Sequence, residues 1–203
     1  MTPDSEHGTI RWSLLTMAGL AAGVLAALLL GEPLEAVVGM ILITPALTCL
    51  VGAVLGAGQW LDLRRRVAAA WLWIPATCAG MGLGLALGVV LVEQVGNQIT
   101  GGQIRFGELG VGTRALSLAV VGLVTGLCAG AAQWLGVLRR HGAPALRWIA
   151  VSSAALGIAF PLAGLIVDTL LGGVASPAGV IALVLLAGLL FGAGTARAIA
   201  RVV

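Results

Sequence analysis

The chain reads as an all-α integral membrane protein: six transmembrane helices forming three parallel αα-hairpins about a pseudo-threefold axis, with both termini in the cytosol. Three observations lead there. The 203 residues are 60% hydrophobic and only 9% charged, with a mean hydropathy of +1.10. A soluble domain carries about a quarter of its residues as charges. Six apolar runs approach or exceed the roughly 18 residues that span a bilayer, over 12–30, 37–61, 71–92, 115–138, 148–171 and 178–196. Their internal spacing also repeats along the chain.

No run alternates with period two. Backbone polar groups must be satisfied inside hydrocarbon, so the spans are helices rather than barrel strands. The first span follows a polar leader holding Asp4, Glu6 and His7, with Arg11 its one basic residue. A cleaved signal would need a basic leader and a shorter apolar core, so the span is expected to be retained.

All eleven basic residues are Arg. With the N-terminus inside, Arg11, Arg64, Arg65, Arg66, Arg139, Arg140, Arg147, Arg197 and Arg201 share one side. Arg105 and Arg114 lie on the other, with loops 31–36, 93–114 and 172–177. This bias favours the bacterial cytoplasmic membrane with both termini in the cytosol. Trp12, Trp60, Trp71, Trp73, Trp134 and Trp148 fall at the same helix ends, where amphipathic rings are expected at headgroup depth.

The repeat is visible in the even spans. Gly52-x-x-x-Gly56-x-x-Gln59-Trp60-Leu61 recurs as Gly126-x-x-x-Gly130-x-x-Gln133-Trp134-Leu135, and a worn copy reads Gly188-x-x-x-Gly192-x-x-Thr195. The odd spans open on Trp12, Trp73 and Trp148. Gly19 and Gly23, Gly80 and Gly84, and Ala155 and Ala159 follow at one spacing. From Trp12 to Gly52, and from Trp148 to Gly188, is 40 residues; from Trp73 to Gly126 is 53. The surplus falls in the outer loop. The single domain therefore divides into hairpins over about 12–61, 71–138 and 148–200. They begin and end on one side, unlike inverted-repeat transporters.

The G-x-x-x-G-x-x-Q-W-L-x-L-R-R pattern resembles a group of bacterial six-helix membrane proteins to which no activity is assigned. The resemblance covers about residues 12–200 and implies the fold alone. The second copy departs from it, with Gly136 and Val137 before Leu138, Arg139 and Arg140.

Small residues four apart let helix backbones approach closely in lipid. Gly52, Gly56, Gly126, Gly130, Gly188 and Gly192 are thus expected to form a helix-packing seam, within one molecule or towards a partner or second copy. Gln59, Gln133 and Thr195 share those faces. They serve as interhelical hydrogen-bonding glue or as a polar ring lining a cytosolic vestibule. The clusters Arg64, Arg65, Arg66 and Arg139, Arg140 set topology and meet anionic headgroups. Leu55 is expected to face lipid. Cys49, Cys78 and Cys128 are isolated and read as small packing groups. Pro45 and Pro161 are expected to kink their spans, while Pro75 sits near the cytosolic end of span three. Gln98 to Arg105, with Gly101-Gly102, carries a hairpin signal in the long outer loop.

No acid or His falls at mid-span, and the chain has no Lys. His7 and His141 lie outside the spans. Coupled transport and membrane hydrolysis need buried ionisable groups, so neither enzyme activity nor a cofactor or metal is expected, and nucleic acid is no partner. Two functions stay open. One is a scaffold, accessory or self-associating membrane subunit. The other is uncoupled or partner-driven passage or binding of a small neutral or lipid-like molecule.

Overall fold

A computed structural model describes residues 3–38, 40–100, 109–142, 144–171 and 177–199. Side chains are described for 8–31, 46–98, 109–142, 144–166, 185–196, 198 and 199. The described residues form six helices: α1 Pro3–Val38, α2 Met40–Leu63, α3 Trp73–Thr100, α4 Val111–Gly136, α5 Ala145–Leu171 and α6 Pro177–Ile199. Short 3-10 turns at Ala70–Leu72 and Leu138–His141 join α2 to α3 and α4 to α5. Their tight reversals use left-handed residues, Ala69 at φ 56° and Gly142 at φ 72°.

Five helices contain windows long and apolar enough to cross a membrane, and α6 shows an apolar stretch over Leu185–Ala196. Large apolar side chains cover the outer surface. Leu29, Leu83 and Leu116 are 70%, 58% and 67% exposed. Only lipid accommodates so much leucine on the outside of a bundle, which marks a multi-pass membrane protein.

Each helix packs chiefly against its neighbours in the chain, and α6 returns onto α1. The helices therefore close a ring. Beside the indoles of Trp12, Trp73 and Trp148, the buried core at the arginine-rich end holds Leu63, Val137 and Ile199. A second core, farther from that end, contains Leu20, Leu55, Met81, Leu156 and Phe191.

Residues 31–36 are not a loop, because α1 continues to Val38. Pro33 cannot donate to the Leu29 carbonyl, yet α1 continues through it to Val38 with the loss of that single bond. The polar leader is helical from Pro3. The outer connection is shorter than 93–114, since α3 runs to Thr100 and α4 starts at Val111. Gln98 to Thr100 are therefore helical. The rest of the expected hairpin, with Arg105 and Glu108, lies outside the described residues. So do Arg201 and the side chains of Pro45, Asp168 and Arg197.

Leu55 is 1% exposed rather than lipid-facing, because Gly19 brings α1 directly onto its backbone. Trp12, Trp73 and Trp148 are buried at 1%, 0% and 2%. They sit inside the ring and not in a headgroup belt, which their polar N–H permits only because each finds an acceptor there. Of the other Trp residues, Trp71 is exposed while Trp60 and Trp134 are half-buried.

Candidate functional site: an apolar axial cavity over a tryptophan floor

The site begins with glycine. A Cβ on Gly52 would lie 2.9 Å from the Thr77 carbonyl oxygen, and one on Gly56 would lie 3.0 Å from Ile74 Cα. Gly130 would meet Ile149 Cα at 3.1 Å, Gly188 would meet Met17 Cα at 2.9 Å, and Gly192 would meet Ser13 Cα at 2.8 Å. Gly126 approaches Ser152 and Ser153 still more closely. The predicted seam residues thus press α2 onto α3, α4 onto α5 and α6 onto α1. The odd-helix glycines form the alternate seams. Gly19 and Gly23 meet α2 at Leu55 and Val51, and Gly80 and Gly84 meet α4 at Ala129 and Thr125. All these faces are consumed within the chain.

Close approach lets short side chains bond across the seams. Trp73 Nε1 donates to Gln59 Oε1 at 2.8 Å, and Trp148 Nε1 donates to Gln133 Oε1 at 3.2 Å. Trp12 Nε1 donates to Thr195 Oγ1 at 3.0 Å. Gln59 Nε2 then donates to Thr16 Oγ1 at 3.3 Å, and Gln133 Nε2 to Thr77 Oγ1 at 3.0 Å. Each Gln ties its helix to both flanking helices. Gln59, Gln133 and Thr195 are almost wholly buried, so they bind helices together and line no vestibule. In the third position Thr195 is too short to reach α5. Its hydroxyl donates back to the Phe191 carbonyl oxygen at 2.9 Å, and buried Ser152 Oγ has no partner.

Thr16, Thr77 and Ser152 were not singled out from the sequence. The signal was present, since each is the fourth residue after an odd-helix Trp. The indoles meet edge to face, Trp12 against Trp73 at 6.2 Å between ring centroids and Trp73 against Trp148 at 5.7 Å. Such pairs add about 0.5–1.5 kcal/mol beyond their burial.

Beyond this floor, away from the arginine-rich end, lies a cavity of about 320 Å³. All six helices supply its walls, including Val24, Leu85, Phe160, Val51, Leu118 and Ala187. Val24, Leu85 and Phe160 are each the twelfth residue after their helix's Trp. Among the described residues of the lining, Thr48 is the sole polar side chain, and it is not without a partner. An apolar, partly open space of this kind suits hydrocarbon. Its volume falls in the range of small-molecule pockets, about 300–1,000 Å³.

At the floor side the Arg64, Arg65, Arg66, Arg139, Arg140 and Arg147 side chains are exposed, with Arg64 stacked 5.3 Å from the Trp60 ring centroid. Arg11 Nε lies 3.0 Å from Asp62 Oδ1, and another of its nitrogens donates to the Leu61 carbonyl oxygen at 3.3 Å. This links α1 to the end of α2. Cys49, Cys78 and Cys128 are half-buried along seams, where Cys49 Sγ rests against Gly82 and Cys78 Cα against Gly52. No protein-family model, curated protein or solved structure matches the chain.

Proposed function

We propose that this chain is a non-catalytic protein of the bacterial cytoplasmic membrane that holds a small neutral or lipid-like molecule in its axial cavity. The cavity itself carries the reading: about 320 Å³ of apolar space walled by every helix. The lining is apolar throughout but for Thr48 among the described residues, so an apolar occupant would gain by covering it. The scaffold reading draws less support, because the glycine faces that motivated self-association are spent on seams within the ring.

The finer architecture in this proposal is three parallel hairpins about a pseudo-threefold axis, with both termini in the cytosol. It is supported by the recurrent Trp–Gln and glycine contacts and by the arginine bias. The exposed Arg64–Arg66 and Arg139–Arg140 clusters would then rest on anionic headgroups, each worth about 1 kcal/mol.

The test is native mass spectrometry of protein extracted from its membrane in mild detergent. A hydrocarbon-rich adduct at one per chain is expected, and it should disappear when Val24→Trp or Leu85→Trp fills the space. An adduct-free protein, or an adduct indifferent to both substitutions, would exclude the cavity as its site.

A further inference from the structure

The three hairpins are not fastened equally. Within the first, Gln59 bonds Thr16 across α1–α2; within the second, Gln133 bonds Thr77 across α3–α4. The corresponding bond across α5–α6 is missing, since Thr195 stands where the others have Gln and Ser152 Oγ is left buried and unpartnered. The glycine pair that seats the odd helix is also absent from this seam, replaced by Ala155 and Ala159. Further along α5, Phe160 lines the cavity. Its neighbour Pro161 lies inside the helix and cannot donate to the Gly157 carbonyl, so α5 is weakened at cavity level.

The pocket is partly open, and its described lining residues lie on the far side of the tryptophan floor, so an apolar occupant does not arrive past the indoles. We propose that the α5–α6 seam is the lateral portal through which the ring admits and releases a hydrocarbon chain, from either a free fatty acid or a phospholipid. The inference rests on the cavity reading above. It adds the route, and it accounts for the one buried hydroxyl of the polar layer that no staple satisfies. Because the α5–α6 seam lies within the third hairpin, parting it disturbs no hairpin other than its own.

The experiment uses the full chain in phosphatidylcholine vesicles, with Cys49, Cys78 and Cys128 changed to Ala. Trp60→Phe, Trp71→Phe and Trp134→Phe leave only the buried indoles as fluorophores. Ala155→Cys with Gly194→Cys locks the α5–α6 seam on oxidation, where a Cβ on Gly194 would stand 2.9 Å from that of Ala155. Ala76→Cys with Gly136→Cys locks α3–α4 as a control, across 3.4 Å. Modest separation brings either pair to the roughly 3.5–4.5 Å of a disulfide.

Dibrominated stearic acid in one arm, and a phosphatidylcholine with a brominated acyl chain in the other, should quench the buried indoles when a chain reaches the cavity. The arm that quenches identifies the source. Oxidising the α5–α6 pair should slow quenching on the order of tenfold, with reduction restoring it and the α3–α4 lock having no effect. Thr195→Gln, which supplies the missing amide, should also slow quenching, and adding Ser152→Ala should abolish that slowing. Equal rates with the α5–α6 seam locked and unlocked, or equal slowing by both locks, would overturn the portal while leaving the cavity occupied. No quenching in any form would overturn the cavity reading and the portal with it.

Discussion

The indole N–H of Trp73 donates a 2.8 Å hydrogen bond to the Gln59 side chain across the seam between α2 and α3. Both residues are buried to within 1%. The bond joins a helix that ends one hairpin to the helix that begins the next, and Gln59 passes the connection on to Thr16 of α1. One side chain therefore holds three helices.

Replacing Gln59 or Gln133 by Leu should destabilise the bundle by about 1–3 kcal/mol. Each change removes two interhelical bonds of about 0.6 kcal/mol or more and strands an indole N–H away from water. Thr195→Val, which removes the partner of Trp12 alone, should cost less. Unfolding followed by steric trapping in bicelles measures all three, and stability within error of wild type for Gln59→Leu would refute the stapling role.

Gly56→Leu and Gly130→Leu should be far more damaging than changes on the lipid face. A Cβ at either position already stands about 3 Å from the backbone of the facing helix, and overpacking of this kind costs about 1–3 kcal/mol or more. Leu127→Phe is the control, since Leu127 is 53% exposed. Similar melting temperatures in detergent for the three variants would show that the seams tolerate separation.

Trp73→Ala should cost about 3–5 kcal/mol, the range for deleting a buried aromatic. It also leaves Gln59 Oε1 without its donor and opens the cavity floor. Trp71→Ala, on an exposed ring, should be nearly silent. Thermal denaturation distinguishes the two, and comparable losses would remove the indoles' claim to be the floor.

The arginine bias predicts that a Cys introduced at Gly102, in a chain otherwise freed of Cys, reacts with membrane-impermeant maleimide from outside intact cells. A Cys introduced at Arg65 should react only after lysis. Labelling of the Gly102 position solely from the cytosolic side would reverse the proposed orientation.

No protein-dependent proton or sodium flux is expected in proteoliposomes under an imposed gradient. Coupling needs a group that changes charge or coordination in the bilayer, and the sequence places no acid or His at mid-span. A flux that survives Glu93→Gln and Asp168→Asn would point instead to a carbonyl site, with Pro161 the place to look for it.

The helices and their close-packed positions were legible because lipid imposes a simple rule on sequence. A span must stay apolar for its whole length, and where backbones touch, the residue must be small. Gly52 and Gly56, Gly126 and Gly130, and Gly188 and Gly192 announced themselves by spacing, and all six pack on a helix backbone. Helix ends were less legible. Proline and polar residues near 31–36 suggested a loop, yet a helix that loses only the one bond a proline cannot make can continue through it.

What the sequence alone determined was which residues are apolar, small or able to hydrogen-bond, and at what intervals. It left undetermined which way an amphipathic residue turns. A Trp at a helix end suits headgroups or a satisfied core equally well. Trp12, Trp73 and Trp148 face inward only because ring closure sets an acceptor from a neighbouring helix beside each indole. The cavity was likewise decided by tertiary structure. It is volume left over when Val24, Leu85 and Phe160 meet residues more than a hundred positions away, and a sum of misfits among six helices has no period along a chain.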